Sequence, residues 1–153
     1  MVTPIPNPGR SSSPMIVFPA VALVAVLALY IARPQAVVEV SLGDFLLVTV
    51  ALGGGAAWMA GRAVAKGWNP FLQVFIYAAL VTCAVRFCHF ALFNGTLFAL
   101  DHFLLELVVL FAIATLGFRT VRKQQMTQRY GWIYENAGPF AWRMRRDGPA
   151  SKA

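Results

Sequence analysis

Residues 86–106 read RFCHFALFNGTLFALDHFLLE, in which two apolar arms flank a short Asn-Gly-Thr link. The apolar run before the link extends back to residue 70, and the run after it continues to residue 118. Each run is close to the roughly 20 residues that a helix needs to cross the hydrocarbon core of a bilayer. Asn-Gly pairs favour tight turns. This stretch therefore predicts a hairpin of two membrane-spanning helices, at residues 70–93 and 97–118.

Two further apolar blocks, residues 16–32 and 45–63, precede the hairpin. Over the whole chain 59% of the residues are hydrophobic and 12% are charged, whereas about a quarter are charged in a soluble domain. A signal peptide is the alternative for the first block, but its exit at residues 30–34 is a poor cleavage site. We therefore predict an all-α membrane protein, a bundle of four transmembrane helices.

The charges predict that both ends of the chain lie in the cytoplasm. The link between the second and third blocks carries Arg62 and Lys66, whereas the link between the third and fourth carries no charge. Eight basic residues follow the fourth block: Arg119, Arg122, Lys123, Arg129, Arg143, Arg145, Arg146 and Lys152. Segments rich in Lys and Arg near a span stay in the cytoplasm. We expect a multi-pass protein of the bacterial inner membrane, N-in and C-in.

The chain divides into three parts. Residues 1–14 contain four prolines and three serines, a composition that buries too little apolar surface to fold, so we expect a disordered lead. Residues 15–118 form the transmembrane domain. Residues 119–153 form a basic, aromatic juxtamembrane tail.

Five ionisable residues fall inside the third and fourth blocks: Arg86, His89, Asp101, His102 and Glu106. Each costs at least about 2.5 kcal/mol if it faces lipid, so we expect them to pair. At about 1.5 Å per residue, Arg86 and Glu106 lie about 10 and 13 Å from the link, and the two histidines about 6 and 7 Å from it. We predict an Arg86–Glu106 pair, with His89 against His102 or Asp101.

Three interpretations of this intramembrane polar cluster are open. A buried ion pair fixes the register of the hairpin. A proton relay would use His89, Asp101 and Glu106 as titrating sites, as in coupled transporters. Haem ligation by His89 and His102 is a more specific interpretation, but adjacent helices in a tight hairpin leave little room for a porphyrin.

The second block has a helix face with almost no side chains. Gly53, Ala57 and Gly61 recur there every four residues, and such a face lets another helix approach closely. Packing against the protein's own helices, against a partner subunit or against a second copy all fit the pattern.

The tail combines aromatic and basic residues, and Gly138-Pro139 breaks any continuous helix within it. The residues that we expect to interact are Tyr130, Trp132, Tyr134, Phe140, Trp142, Arg143, Arg145 and Arg146. Lipid headgroups and a protein partner both suit this composition. Nucleic acid also suits it, but the position beside the membrane makes lipid or protein the simpler target.

The sequence contains no arrangement that is typical of catalysis or metal binding. We find no nucleophile-and-base pattern, no phosphate-binding glycine loop and no zinc signature. Cys83 and Cys88 are five residues apart within one block, so on a helix they point in different directions and cannot form a disulfide. We expect no enzymatic activity, no cofactor and no metal.

Three segments carry a resemblance to a known family: LLVTVALGGGAAWMAGRA (46–63), RFCHFALFNGTL (86–97) and FRTVRKQQMTQRYGWIYENAGPFAWRMR (118–145). Over residues 45–146 the chain resembles a family of short, uncharacterised bacterial inner-membrane proteins described as a domain of unknown function. Members are often encoded beside components of branched-chain amino-acid ABC transporters, which implies an accessory role to that importer. The first 44 residues look like an extension that most members lack. No catalytic residues are carried over.

We therefore predict a non-catalytic accessory subunit of an inner-membrane complex. In this hypothesis the Gly53/Ala57/Gly61 face and the tail meet a partner, either an ABC transporter permease or ATPase or a second copy. The alternative is a small proton-coupled carrier that works as a homo-oligomer and titrates at Glu106 and the two histidines. A membrane enzyme or haem protein is a third, weaker hypothesis.

Overall fold

The computed structural model describes residues 14–34, 41–94, 96 and 99–145. The elements are α1 (Pro14–Ala32), α2 (Leu42–Lys66), α3 (Leu72–Phe93), α4 (Leu100–Arg129), β1 (Tyr134–Asn136) and β2 (Trp142–Met144). All four helices are long and apolar enough to cross a membrane, which is the number that the sequence predicts. The predicted disordered lead lies outside the described residues, except for Pro14, which begins α1.

Helix α2 is not uniform along its length. It is α-helical over Leu42–Phe45, π-helical over Leu46–Gly53 and α-helical again over Gly54–Lys66. Ser41 caps its start, because the Ser41 hydroxyl oxygen accepts a 3.2 Å hydrogen bond from the Asp44 amide. The wider π turns change the direction in which the side chains before Gly54 point, and single π turns often occur at functional sites.

Helix α3 ends at Phe93 and is capped by Asn94, which has a left-handed φ of 55° and donates its amide hydrogen to the His89 carbonyl. Asn tolerates this conformation better than most residues. Helix α4 begins at Leu100 and runs for 30 residues, about 45 Å. It therefore extends eleven residues beyond the predicted end at Phe118, because the basic stretch up to Arg129 contains neither Gly nor Pro and continues the helix.

The bundle is organised around α4, which packs against α1, α2 and α3. Half of the most apolar part of α4 is buried inside the protein, compared with 6% for α1. The core contains Val48, Ala57, Val64, Val74, Ala78, Val85, Leu110, Ala114, Phe118 and Val121. Large apolar side chains also cover the outside of the bundle, among them Val24, Leu27, Ile31, Leu52, Met59, Leu72 and Leu92.

The tail forms a β-hairpin, which the all-α prediction did not include. Strands β1 and β2 pair antiparallel, with Glu135 opposite Arg143. Gly138 has a φ of 130° in the connecting turn and donates its amide hydrogen to the Asn136 side chain. Only glycine adopts such a φ at little cost, so the break that the sequence predicts at Gly138-Pro139 is the turn of this hairpin.

Most of the basic residues lie at one end of the bundle. The end of α2, the start of α3 and the end of α4 meet there, since Arg122 donates a hydrogen bond to the Asn69 carbonyl at 3.0 Å. The start of α1 is at the same end, where Met15 lies 4.0 Å from the Arg119 guanidinium. We call this the basic end, and its described basic residues are Arg62, Lys66, Arg119, Arg122, Lys123, Arg129, Arg143 and Arg145.

Candidate functional site

A polar cluster is buried between α2, α3 and α4, toward the end of the bundle opposite the basic end. Arg86 and Glu106 are 3% and 5% exposed, and Arg86 Nη1 lies 3.6 Å from Glu106 Oε1. His89 Nε2 lies 3.7 Å from the same carboxylate oxygen and shares a 2.8 Å hydrogen bond with Thr49 Oγ1. The structure thus brings Arg86, His89 and Glu106 together, and adds Thr49.

Thr49 lies in the π-helical segment of α2, which positions its hydroxyl toward α3. The two helices are close there, since a Cβ on Gly53 would be 2.7 Å from Val85 Cγ2. Thr49 was not among the residues predicted from the sequence. The one sequence feature that could have indicated its role is a hydroxyl group within an apolar run. Ser and Thr hydroxyls in such runs frequently form hydrogen bonds between membrane helices.

Arg86 also donates a 3.4 Å hydrogen bond to Thr96 Oγ1, in the link between α3 and α4. The guanidinium therefore contacts the carboxylate on α4 and the link that joins the two helices. A buried carboxylate needs such partners, because an uncompensated charge in this environment costs several kcal/mol. The cluster fixes the relative positions of α2, α3 and α4.

Asp101 and His102 do not join this cluster. Asp101 is 76% exposed at its side chain, and His102 Nδ1 lies 3.4 Å from its carboxylate. Neither ring nitrogen of His102 makes a hydrogen bond to a residue that the structure describes. The predicted contact of His89 with His102 or Asp101 is therefore wrong among the described residues.

Helix α4 starts at Leu100, three residues later than the predicted Leu97. Relative to the helix ends, Arg86 and Glu106 lie about 10 and 9 Å deep, so they remain at matching depths. His89 lies about 6 Å deep, and its ring contacts Thr49 and Glu106. His102 lies about 3 Å deep, one helical turn nearer the link than Glu106, and contacts Asp101 instead.

A small cavity of about 10 Å³ adjoins the cluster between α1, α2 and α4. Thr49 and Glu106 line it together with Val26, Phe45, Leu105 and Val109. This volume is at the lower limit for one water molecule. Within the part of the chain that the structure describes, no group of three or more His, Cys, Asp or Glu residues could hold a metal ion.

The Gly53/Ala57/Gly61 face is buried inside the protein. A Cβ on Gly61 would lie 1.9 Å from the Ala114 carbonyl oxygen of α4, and a Cβ on Gly117 would lie 2.4 Å from the Trp58 carbonyl oxygen of α2. Ala57 is fully buried between them. The hypothesis that this face meets a partner is therefore wrong, because α3 and α4 of the same chain occupy it.

Gly117 completes this contact and was missed in the sequence. The fourth block also has small residues at Ala112 and Ala114. The spacing of its small residues alone therefore does not identify the helix face that packs against α2. Two glycines on facing helices allow backbone contact, which is the closest approach that helices can make. Among the described helices, α2 and α4 share the most extensive contact.

The β-hairpin folds back onto α4 through Arg119. This guanidinium is 2% exposed, donates a 3.2 Å hydrogen bond to the Phe140 carbonyl and stacks 4.4 Å from the centre of the Trp142 ring. From the sequence, Arg119 was expected only to be one of the basic residues that keep the tail in the cytoplasm. Among the predicted tail residues, Phe140 and Trp142 therefore hold the hairpin in place.

The other tail residues are more accessible. Trp132 is 60% exposed and its ring lies 5.8 Å from that of Tyr130. Arg143 pairs with Glu135 across the strands. Tyr134 is partly buried, Arg145 is exposed, and Arg146 lies outside the described residues.

The sequence profile of a family described as a domain of unknown function, DUF6867, matches residues 40–145. The chain belongs to this family. No curated protein and no solved structure matches the chain.

The DUF6867 region begins just before α2 and ends just after β2. The buried polar cluster, the α2–α4 glycine contact and the hairpin all lie within it. Helix α1 lies outside it and packs mainly on α4, where Phe18 contacts Phe111. In this chain the matched region therefore comprises three helices and a hairpin, and α1 packs on its outside.

Proposed function

We propose that this DUF6867 protein is a non-catalytic accessory subunit of an inner-membrane complex. The observation that carries the proposal is the hairpin, which Arg119 holds against α4 while Trp132 and Tyr130 remain exposed at the basic end. A fixed aromatic surface of this kind suits protein docking, because Trp, Tyr and Arg dominate interface hot spots. Holding it in place before binding lowers the entropic cost of association.

The proposal places the basic end in the cytoplasm, with four spans in the membrane. The distribution of charge supports this orientation. Outside the polar cluster, Arg33 is the one described basic residue at the opposite end, which also carries Asp44 and Asp101. The positive-inside rule then orients the bundle N-in and C-in. The apolar outer surface of the helices suits contact with lipid.

The partner that we propose is a permease or ATPase of a branched-chain amino-acid ABC importer. The choice of importer comes from the family resemblance. The contact itself would be made by the exposed Tyr130 and Trp132, which the hairpin helps to hold in place. A second copy of the chain is the other occupant to test. Nucleic acid is not part of the proposal.

The test is co-purification from the native host of a C-terminally tagged copy, in a gentle detergent. The variant is Trp132→Ala, and the matched control is Phe87→Ala, which removes an aromatic ring of the same 60% exposure from the side of α3. Stoichiometric recovery of importer subunits with wild type and Phe87→Ala, and their loss with Trp132→Ala, supports the proposal. Equal recovery with both variants, or recovery of the chain alone, contradicts it.

A second function is favoured by one observation, the buried chain of Thr49, His89 and Glu106. Such a chain suits a small proton-coupled carrier that acts as a homo-oligomer, with Glu106 as the titrating group. In that case Glu106→Gln leaves the protein abundant and abolishes transport. In the accessory-subunit proposal the same variant lowers abundance, and a second change, Arg86→Gln, restores it.

A further inference from the structure

A second surface at the basic end has a chemistry of its own. Trp68 follows α2 in the left-handed conformation, with a φ of 58°. Such a φ is a true outlier for a bulky residue and persists only where the surroundings enforce it. The Arg122 and Arg129 guanidiniums lie 4.8 and 5.6 Å from the centre of its ring. The indole therefore lies against two cations of α4.

Lys66 adds a third positive charge at the same end of α2. It is exposed, two residues before Trp68, at the end of α2. In the part of the chain that the structure describes, the one carboxylate at the basic end is that of Glu135, which pairs with Arg143. The charges of Lys66 and Arg129 are thus left without a nearby anion from the described chain. We call Lys66, Trp68, Asn69, Arg122 and Arg129 the Trp68 surface.

A groove of about 350 Å³ between α2 and α3 adjoins the Trp68 surface at Asn69. It is lined by Ala60, Ala63, Val64, Asn69 and Tyr77. Asn69 links the two features, because it lines the groove and its carbonyl oxygen accepts a hydrogen bond from Arg122. Lys66 lies three residues after Ala63, on the same side of α2 as the groove. The groove is therefore apolar along the helices and cationic at its mouth.

We propose that the Trp68 surface binds the headgroup of an anionic phospholipid, with one acyl chain in the adjoining groove. Lys66 and Arg129 contact the phosphate, Arg122 orients Asn69 and the indole, and Trp68 lies at the headgroup level where tryptophan is favoured. An acidic protein segment would match the charges equally well, but its polar side chains would not fill an apolar groove that runs between two membrane helices.

Native mass spectrometry of the full-length, delipidated protein in mild detergent tests this site. The probes are phosphatidylglycerol and phosphatidylcholine with identical acyl chains. A basic residue near an anionic membrane surface contributes about a factor of five to binding, so Lys66→Gln with Arg129→Gln should weaken phosphatidylglycerol binding about 25-fold. The control, Arg33→Gln with Arg145→Gln, removes the same charge from exposed positions elsewhere and should leave binding within about twofold.

A third variant separates the groove from the charges. Ala63→Leu keeps every cation and fills the groove, and it should weaken phosphatidylglycerol binding while leaving the protein folded, because Ala63 is exposed. Equal affinity for both lipids, equal losses in the two double variants, or full binding by Ala63→Leu overturns the proposal. If the Lys66/Arg129 variant keeps the lipid and instead loses a co-purifying protein, the Trp68 surface is a protein-docking site and the proposal is wrong.

Discussion

The α2–α4 contact makes Gly61→Ala the most informative single substitution in the bundle. The added Cβ would lie 1.9 Å from the Ala114 carbonyl oxygen, and real Cβ atoms essentially never come within 3.0 Å of a neighbour. The helices must therefore separate by about 1 Å. The obstructing atom belongs to a helix backbone and cannot rotate away, so we expect a loss at the upper end of the overpacking range, about 3 kcal/mol in the free energy of unfolding.

Gly55→Ala is the matched control, because it makes the same chemical change on the same helix. A Cβ at Gly55 would meet nothing within 4 Å. Replacing a helical glycine by alanine removes backbone freedom from the unfolded chain and is favourable by about 0.5–1 kcal/mol. The control should therefore match or exceed the wild type in stability.

The assay is unfolding by sodium dodecyl sulfate from mixed micelles, followed by circular dichroism. Gly61→Ala should unfold at a clearly lower mole fraction of the denaturing detergent than the wild type, and Gly55→Ala should not. If the two variants unfold together, α2 and α4 are not in backbone contact. The packing argument would then be refuted.

Three other substitutions test the buried cluster and the hairpin. Glu106→Gln should destabilise the protein by about 3–5 kcal/mol, because it leaves the buried Arg86 charge without its carboxylate, and adding Arg86→Gln should recover part of the loss in detergent unfolding. A double variant that is worse than either single one would contradict the ion pair. Thr49→Val removes one buried hydrogen bond at similar volume and should cost about 1 kcal/mol by the same assay, so an unchanged stability would argue against the contact. Trp142→Ala removes the ring that stacks on Arg119 and should increase the rate of proteolysis within residues 130–145, while leaving the helices resistant.

Hydropathy was sufficient to predict the four long helices, because an uninterrupted apolar run of about 20 residues is typical of a membrane-spanning helix. The ends of the helices were less predictable. Helix α4 continues to Arg129 because a helix need not end where the apolar run ends, and its start at Leu100 depends on the link after Asn94. Of the three ionisable residues near the start of α4, only Glu106 contacts Arg86 and His89.

The Arg86–Glu106 ion pair could be predicted from the sequence, because both residues lie at similar distances from the link. The Thr49 contact could not be predicted the same way, because it depends on the π-helical turns of α2, which no local pattern specified. The hairpin and its contact with Arg119 were also beyond the sequence. Each depends on where a distant residue lies, and periodicity within one segment carries no such information.

The central claim is that Tyr130 and Trp132, the exposed aromatic residues between α4 and the hairpin, contact a partner protein. A photo-reactive amino acid at position 132, irradiated in living cells of the native host, tests it most directly. A second probe at Phe87 reports on the side of α3. Position 132 should crosslink to a subunit of an importer, whereas position 87 should not. Crosslinks from position 132 to lipid alone, or to the same proteins as from position 87, would contradict it.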